Sequence, residues 1–281
     1  MISIIMPTHN RPPLLDLTIA SVLAQDYENY EFIVVDASPD KYFEKELNNL
    51  FTKNLRDFID KKSKIKIVYP DCNPRFPGAV KMYGAKRAIQ DDDMMIFLDH
   101  DDALGCGILK HISLALTQYP HTEMITTDYV NICYNGEFWN SIVSYLGGET
   151  YKTITDPLPV GNVLIYFNEL NVYKSTHPYK APIHPQIISK PVIRDKRITF
   201  IEDSEIGDDC IWEILTHSLI ETRIPIIGYI FIAYINGSYY TASIEGRTGS
   251  PTISQCEDAC KKYSEILDKI GYKKPRNELF I

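Results

Sequence analysis

The most constraining feature of this chain is a strict alternation in its first half. Short runs of β-branched and other apolar residues are separated by stretches with helical spacing. Ile2 to Met6 reads as a buried strand, and Pro12 to Gln25 carries Leu15, Ile19, Val22 and Leu23 on one helical face. Phe32 to Val35 is a second strand, Tyr42 to Asp60 a charged surface helix, and Ile65 to Tyr69 a third strand. Gly78 to Gln90 then reads as a helix, Met94 to Leu98 as a fourth strand, Gly107 to Gln118 as a helix and Met124 to Val130 as a strand. Strands alternating with helices at this spacing predict an α/β chain with a mostly parallel central sheet covered on both faces. In such sheets ligands collect at the carboxyl ends of the strands.

The second half has a different texture. Asn135-Gly136 and Asn236-Gly237 read as hairpin turns. Tyr145 to Pro159 reads as a polar loop, Asn162 to Phe167 as a strand, and His177 to Pro191 as an irregular Pro-rich stretch. Asp208 to His217 is expected to be a short helix, Ile226 to Ile235 and Tyr239 to Ile244 strands, and Glu257 to Ile270 a terminal helix. No repeat divides the chain. The expectation is one domain over 1–281, in which 1–104 forms a nucleotide-type half and 105–281 adds a smaller β-containing acceptor-side region.

Charge and cysteines narrow the function classes. A formal net charge of −8 makes the chain a poor general binder of nucleic-acid backbone, so no nucleic-acid partner is expected. A phosphate-bearing ligand would need its charge met locally, for which a carboxylate-held divalent cation serves. The six cysteines are scattered, with no CxxC and no histidine pair at zinc spacing, and read as reduced thiols of a cytoplasmic protein. No run approaches the ~20 apolar residues that span a bilayer, which leaves peripheral membrane association open.

Two strands run directly into acid. Phe32 to Val35 ends in Asp36, and Met94 to Leu98 ends in Asp99-His100-Asp101-Asp102. Clustered carboxylates repel one another and resist desolvation, so such a group tends to hold a cation or hydrogen-bond a ligand. The alternative, that Asp36 and Asp102 cap the turns that follow, is equally open for Asp36 alone.

Taken together, Ile4 to Arg11 (I-I-M-P-T-H-N-R), Phe32 to Asp36 and Phe97 to Asp102 (F-L-D-H-D-D) closely resemble the family 2 glycosyltransferases of GT-A fold. Gly78 to Gly84 also resembles that family's G-x-x-x-A-R-N-x-G helix start, with Lys81 in place of arginine and Ala37 where a second acid often stands. The resemblance covers roughly the first 110 residues, with three motifs in order. It implies that Pro7, Thr8, Arg11 and Lys81 line a nucleotide pocket and that Asp36 hydrogen-bonds the base. Asp99 would reach the ribose or sugar, and Asp101 would hold Mn²⁺ or Mg²⁺ against the diphosphate. The donor would be a nucleotide-sugar, UDP-linked by family habit, and the acceptor a glycan or glycolipid.

Inverting transfer also needs a base opposite the leaving group, and a carboxylate is the expected one. Gly207-Asp208-Asp209 before an amphipathic helix resembles the family's acidic motif, downstream of Ile188-Ser189-Lys190, which resembles another family segment. Asp209 is the expected base with Asp208 beside it, and Glu202-Asp203 is the runner-up. Against this stands the plain reading that both aspartates favour a helix N-terminus. His100, His184 and His217 read as satisfied or exposed side chains. A nucleotidyltransferase is disfavoured because Thr8 to Pro13 lacks the glycines that wrap a triphosphate. A phosphohydrolase is disfavoured because the acid cluster follows the fourth strand. A binding relic of the fold remains the non-enzymatic rival.

Overall fold

The computed structural model describes residues 1–9, 15–53, 55–71, 76–88, 94–105, 107–133, 142–146, 149–154, 186–204, 208–235, 238–239 and 253–271. In chain order the strands are β1 Ile2–Thr8, β2 Tyr30–Asp36, β3 Ile65–Val68, β4 Met94–Phe97, β5 Ala103–Leu104, β6 Met124–Cys133, β7 Ile142–Leu146, β8 Glu149–Ile154, β9 Gln186–Ser189, β10 Arg223–Ile235 and β11 Ser238–Tyr239. The helices are α1 Leu15–Leu23, α2 Tyr42–Lys53, α3 Pro77–Ala85, α4 Ile108–Gln118, α5 Lys190–Asp195, α6 Asp208–Leu219 and α7 Ile253–Lys269.

The main sheet runs β11-β10-β6-β9-β4-β1-β2-β3, with β5 against β10. Neighbours β3, β2, β1 and β4 are mutually parallel, and β6 is parallel to β10. Strand β9 runs antiparallel between β4 and β6, which makes those two parallel to each other. The mostly parallel α/β sheet expected from the sequence is therefore present, with one reversed strand near its centre.

Alternation along the strands builds a core on each face. Ile2, Ile4, Met6, Phe32, Val34 and Ile96 pack on one side with Leu15, Ile19 and Val22 of α1, Phe43 and Leu47 of α2, and Ile108 and Ile112 of α4. Ile5, Ile33, Val35, Met95 and Phe97 pack on the other with α3, with Ile211, Trp212 and Leu215 of α6, and with Ala259, Tyr263 and Leu267 of α7. Helix α3 lies close to the sheet because Gly84 has no side chain. A Cβ there would stand 2.5 Å from Ile5 Cγ2 and 2.7 Å from Val35 Cγ2.

Several expectations are corrected. The helix read over Tyr42 to Asp60 stops at Lys53, and Arg56–Lys64 forms a 3₁₀ stretch with no buried residue. Only Phe58 of that charged segment packs on the core, as a half-buried side chain, too little apolar contact to hold it in an α-helix. The stretch read as a loop from Tyr145 contains paired strands, Tyr145 opposite Thr150. The Pro-rich stretch to Pro191 contains β9 and the start of α5. Tyr234 lies opposite Tyr239 and Ile235 opposite Ser238, on either side of the expected Asn236-Gly237 turn, which itself lies outside the described residues. The Asn135-Gly136 turn, the strand read over Asn162 to Phe167, and residues 240–244 lie outside the described residues.

Candidate functional site

The carboxyl ends of β1, β2 and β4 adjoin. Thr8 is opposite Asp36 in register, the Ala37 N–H donates to the Thr8 carbonyl at 2.9 Å, and the Leu98 N–H donates to the Ile5 carbonyl at 2.9 Å. Pro7, Thr8, Asp36 and Asp99 are thus brought to one edge by strand geometry alone. Arg11 lies outside the described residues. The Asp36 carboxylate is buried and accepts two backbone N–H groups, from Ser38 (3.0 Å) and Phe43 (3.1 Å). The turn-capping reading of Asp36 therefore holds, and each oxygen keeps acceptor capacity beyond that bond. Beside it, His9 is half-buried. Burial holds its imidazole below the usual value, with Asp36 opposing and His100 adding to the shift.

The acidic loop after β4 is a turn, with the Asp102 N–H donating to the Asp99 carbonyl at 3.0 Å. It is fastened to α1 by side chains that the sequence reading passed over. The Thr18 hydroxyl lies 2.8 Å from the His100 carbonyl and 2.6 Å from the Asp102 carbonyl. Ser21 Oγ accepts the Leu104 N–H at 3.0 Å, and Gln25 Nε2 donates to the Gly105 carbonyl at 2.9 Å. All three residues are buried. Thr18 and Ser21 at i and i+3 in α1, with Gln25 at i+7 just past its end, were the available signal.

The two halves of the chain meet at Lys81. Its side chain is 6% exposed, with Nζ 3.3 Å from Asp208 Oδ2 and 3.5 Å from Asp99 Oδ1, and it lies over the Phe200 ring at 5.2 Å. Phe200 stacks on Trp212 of α6 at 4.2 Å, and Phe97 at the end of β4 meets both rings edge-on. These rings fix α6 and the 200–201 segment against the end of β4. Gly78 completes the fit, since a Cβ there would overlap the Ile201 carbonyl oxygen.

Electrostatics follow from that packing. Burial alone would lower the Lys81 pKa, but Asp208, Asp99 and Asp209 outweigh it, so the ammonium stays charged. Asp208 is buried, and desolvation with Asp209 and Asp99 raises its carboxyl above the usual range despite Lys81. Asp209 is exposed at the first turn of α6. Glu202 and Asp203 face elsewhere: Glu202 pairs with Lys86 at 3.4 Å, and Asp203 lies 3.6 Å from Lys262 of α7.

One lysine among three carboxylates leaves the site net negative, as a cation-binding edge requires. Among the described residues, no group of three His, Cys, Asp or Glu converges as a complete ligand cage. Mg²⁺ bound together with a nucleotide takes one or two carboxylates and completes its shell from phosphates and water. Asp101, almost fully buried at the strand end, is an oxygen donor of the right type.

The model of the family described as "Glycosyl transferase family 2" matches residues 3–173, more than half of the chain. A relative from Haemophilus influenzae, described as an uncharacterized glycosyltransferase, is 37% identical over 106 residues, which span 37% of this chain and 38% of that protein. Among solved structures, S. aureus TarS 1–349 in complex with UDP-GlcNAc superposes with a TM-score of 0.62 at 16% identity, over 99% of this chain and 68% of that one. GalNAc-T7 with UDP, GalNAc and Mn²⁺ superposes with a TM-score of 0.54 at 12% identity, over 97% of this chain and 56% of that one. At these identities the two superpositions show a shared fold.

Proposed function

This chain belongs to glycosyl transferase family 2, and from that premise we propose that it is an inverting transferase moving a sugar from a UDP-type nucleotide-sugar to a hydroxyl of a glycan or glycolipid acceptor. One observation carries the reading: Asp99, at the end of a donor-side strand, and Asp208, at the start of an acceptor-side helix, meet on a single buried lysine. An edge that only bound nucleotide would have no need to bring the second acidic motif to the first. Solved structures of the same fold hold UDP-GlcNAc, or UDP with Mn²⁺, which favours testing uridine donors first.

In this reading Pro7, Thr8 and Arg11 line the nucleoside pocket, and Asp36 accepts from the base with its remaining lone pairs. Asp99 meets the ribose or sugar, and Asp101 holds the divalent cation. That cation supplies charge neutralisation for the departing diphosphate. Asp209, exposed at the first turn of α6, is the base. It takes the acceptor hydroxyl's proton as that oxygen bonds to the anomeric carbon, and the bond to the diphosphate oxygen breaks with its electron pair leaving on the nucleoside diphosphate. Residues 1–104 serve as the donor half and 105–281 as the acceptor half of one domain. A glycolipid acceptor would place the protein peripherally at a membrane; no helix among the described residues is long and apolar enough to cross one.

Calorimetric titration with UDP, with and without Mn²⁺, tests the donor site alongside Asp101→Ala. Binding that needs the metal and is lost in the variant is the expected result, followed by hydrolysis or transfer from a panel of UDP-sugars. Absence of binding to UDP, GDP and dTDP alike would sink the transferase reading in favour of a non-catalytic binding protein.

A further inference from the structure

The family resemblance gives Lys81 to the donor's phosphates, but its surroundings give it other partners. Its ammonium is spent on two carboxylates from opposite halves of the chain, 3.3 Å from Asp208 and 3.5 Å from Asp99. The stem is buried in α3, and the Phe200 ring covers the head. The backbone beneath is packed without slack, because Gly78 on one turn and Gly84 on the next sit against Ile201 and against Ile5 and Val35. An ammonium is a compact point charge that needs no bidentate geometry. Held at this depth it cannot turn toward a diphosphate without leaving Asp208 buried and unpaired, a heavy desolvation cost.

We propose that Lys81 is a positioning residue of the acceptor-side acid motif rather than a phosphate ligand. Resting on the transferase reading above, this inference deepens it. Lys81 fixes the first turn of α6, and so the Asp208-Asp209 pair, at a set distance from Asp99. Donor site and base are thereby locked in one geometry by a single cation. Misplacing a reacting group by about 1 Å costs on the order of 100-fold in rate, so the lysine acts on turnover and leaves donor affinity nearly untouched.

The test compares wild type, Lys81→Met and Lys81→Arg in two assays: UDP–Mn²⁺ affinity by calorimetry, and turnover of whichever UDP-sugar the wild type hydrolyses. The expected result for Lys81→Met is a loss in kcat of roughly 100-fold, with the UDP Kd within about threefold and Lys81→Arg recovering at least tenfold of the lost turnover. A UDP Kd raised tenfold or more, with kcat at saturating donor unchanged, would make Lys81 a phosphate ligand and overturn the proposal. If Lys81→Met fails to fold because Asp208 is stranded, Lys81→Met with Asp208→Asn removes both charges. That double variant must then keep UDP affinity within about threefold, and a tenfold loss overturns the proposal again. Wild-type protein that binds no nucleoside diphosphate ends the transferase reading itself, whereas wild-type binding lost only on changing Lys81 ends this assignment alone.

Discussion

Asp208 and Asp209 are neighbours with opposite environments, and the roles proposed for them rest on that difference. Asp208 is buried against Lys81, so its proton affinity is set by desolvation and by the surrounding charges. Asp209 is exposed, as the proposed base must be. Asp209→Asn is therefore expected to lower turnover by about 10²–10⁴-fold, the usual worth of a positioned base, while UDP affinity stays unchanged. Asp203→Asn, which removes only a surface partner of Lys262, should leave turnover within about twofold. Equal losses in both variants, read by steady-state kinetics, would reverse the assignment. The acids themselves were legible in the sequence because each follows a recognisable apolar run or precedes an amphipathic one. Lys81 was legible through the family resemblance, but its pairing with Asp208 was not, since the two are 127 residues apart and nothing local records their contact.

Helix α1 shows how an element can serve a site it does not itself contain. Its apolar face joins the same core cluster as β1 and β2, while Thr18 and Ser21, with Gln25 just past its end, hold the loop from His100 to Gly105. Thr18→Val keeps the shape and removes the only side-chain donor of that residue, leaving buried carbonyls short of a partner. A loss of about 1–3 kcal/mol in unfolding free energy is expected by denaturant titration. A change below about 0.5 kcal/mol would show that the loop carries itself. In α3, Gly84→Ala should cost about 1–3 kcal/mol through overpacking against Ile5 and Val35. Most elements of the first half were readable because β1, β2 and β4 are largely apolar runs and α1 and α4 carry a clear stripe, whereas the two-residue β5 was not. Strand β9 was not. It is four residues long, follows a Pro-rich stretch, and takes its identity from β4 and β6 on either side. Its two core residues, Ile187 and Ile188, are too few to display a period. The antiparallel reversal it introduces was hidden for the same reason.

At the scale of the whole molecule, α5 and α6 must be tied to the sheet at their far ends as well as at the candidate site. Glu123, just ahead of β6, makes that tie. It accepts the backbone N–H groups of Glu221 (2.7 Å) and Thr222 (3.4 Å) beyond α6, and the ammonium of Lys196 beyond α5 lies 2.9 Å away. Lys196 in turn donates to the Leu219 carbonyl at 2.8 Å, so one carboxylate gathers β6, α5 and α6. Burial alone would raise the Glu123 pKa. The Lys196 hydrogen bond and the two backbone donors more than offset it and hold the carboxyl below 4.5, its ordinary value. The sign then follows from linkage. With the folded pKa lowered, the unfolded chain binds the proton more readily, so Glu123 stabilises the fold above about pH 4.5 and loses that contribution as pH falls through the lowered value. Glu123→Gln should therefore melt below the wild type near pH 7, with the two melting curves converging as pH falls below 4.5. Scanning calorimetry across that range decides it. A constant gap between wild type and variant at every pH would mean that Glu123 acts by shape and hydrogen bonding alone, and that its charge does not hold α5 and α6 to the sheet.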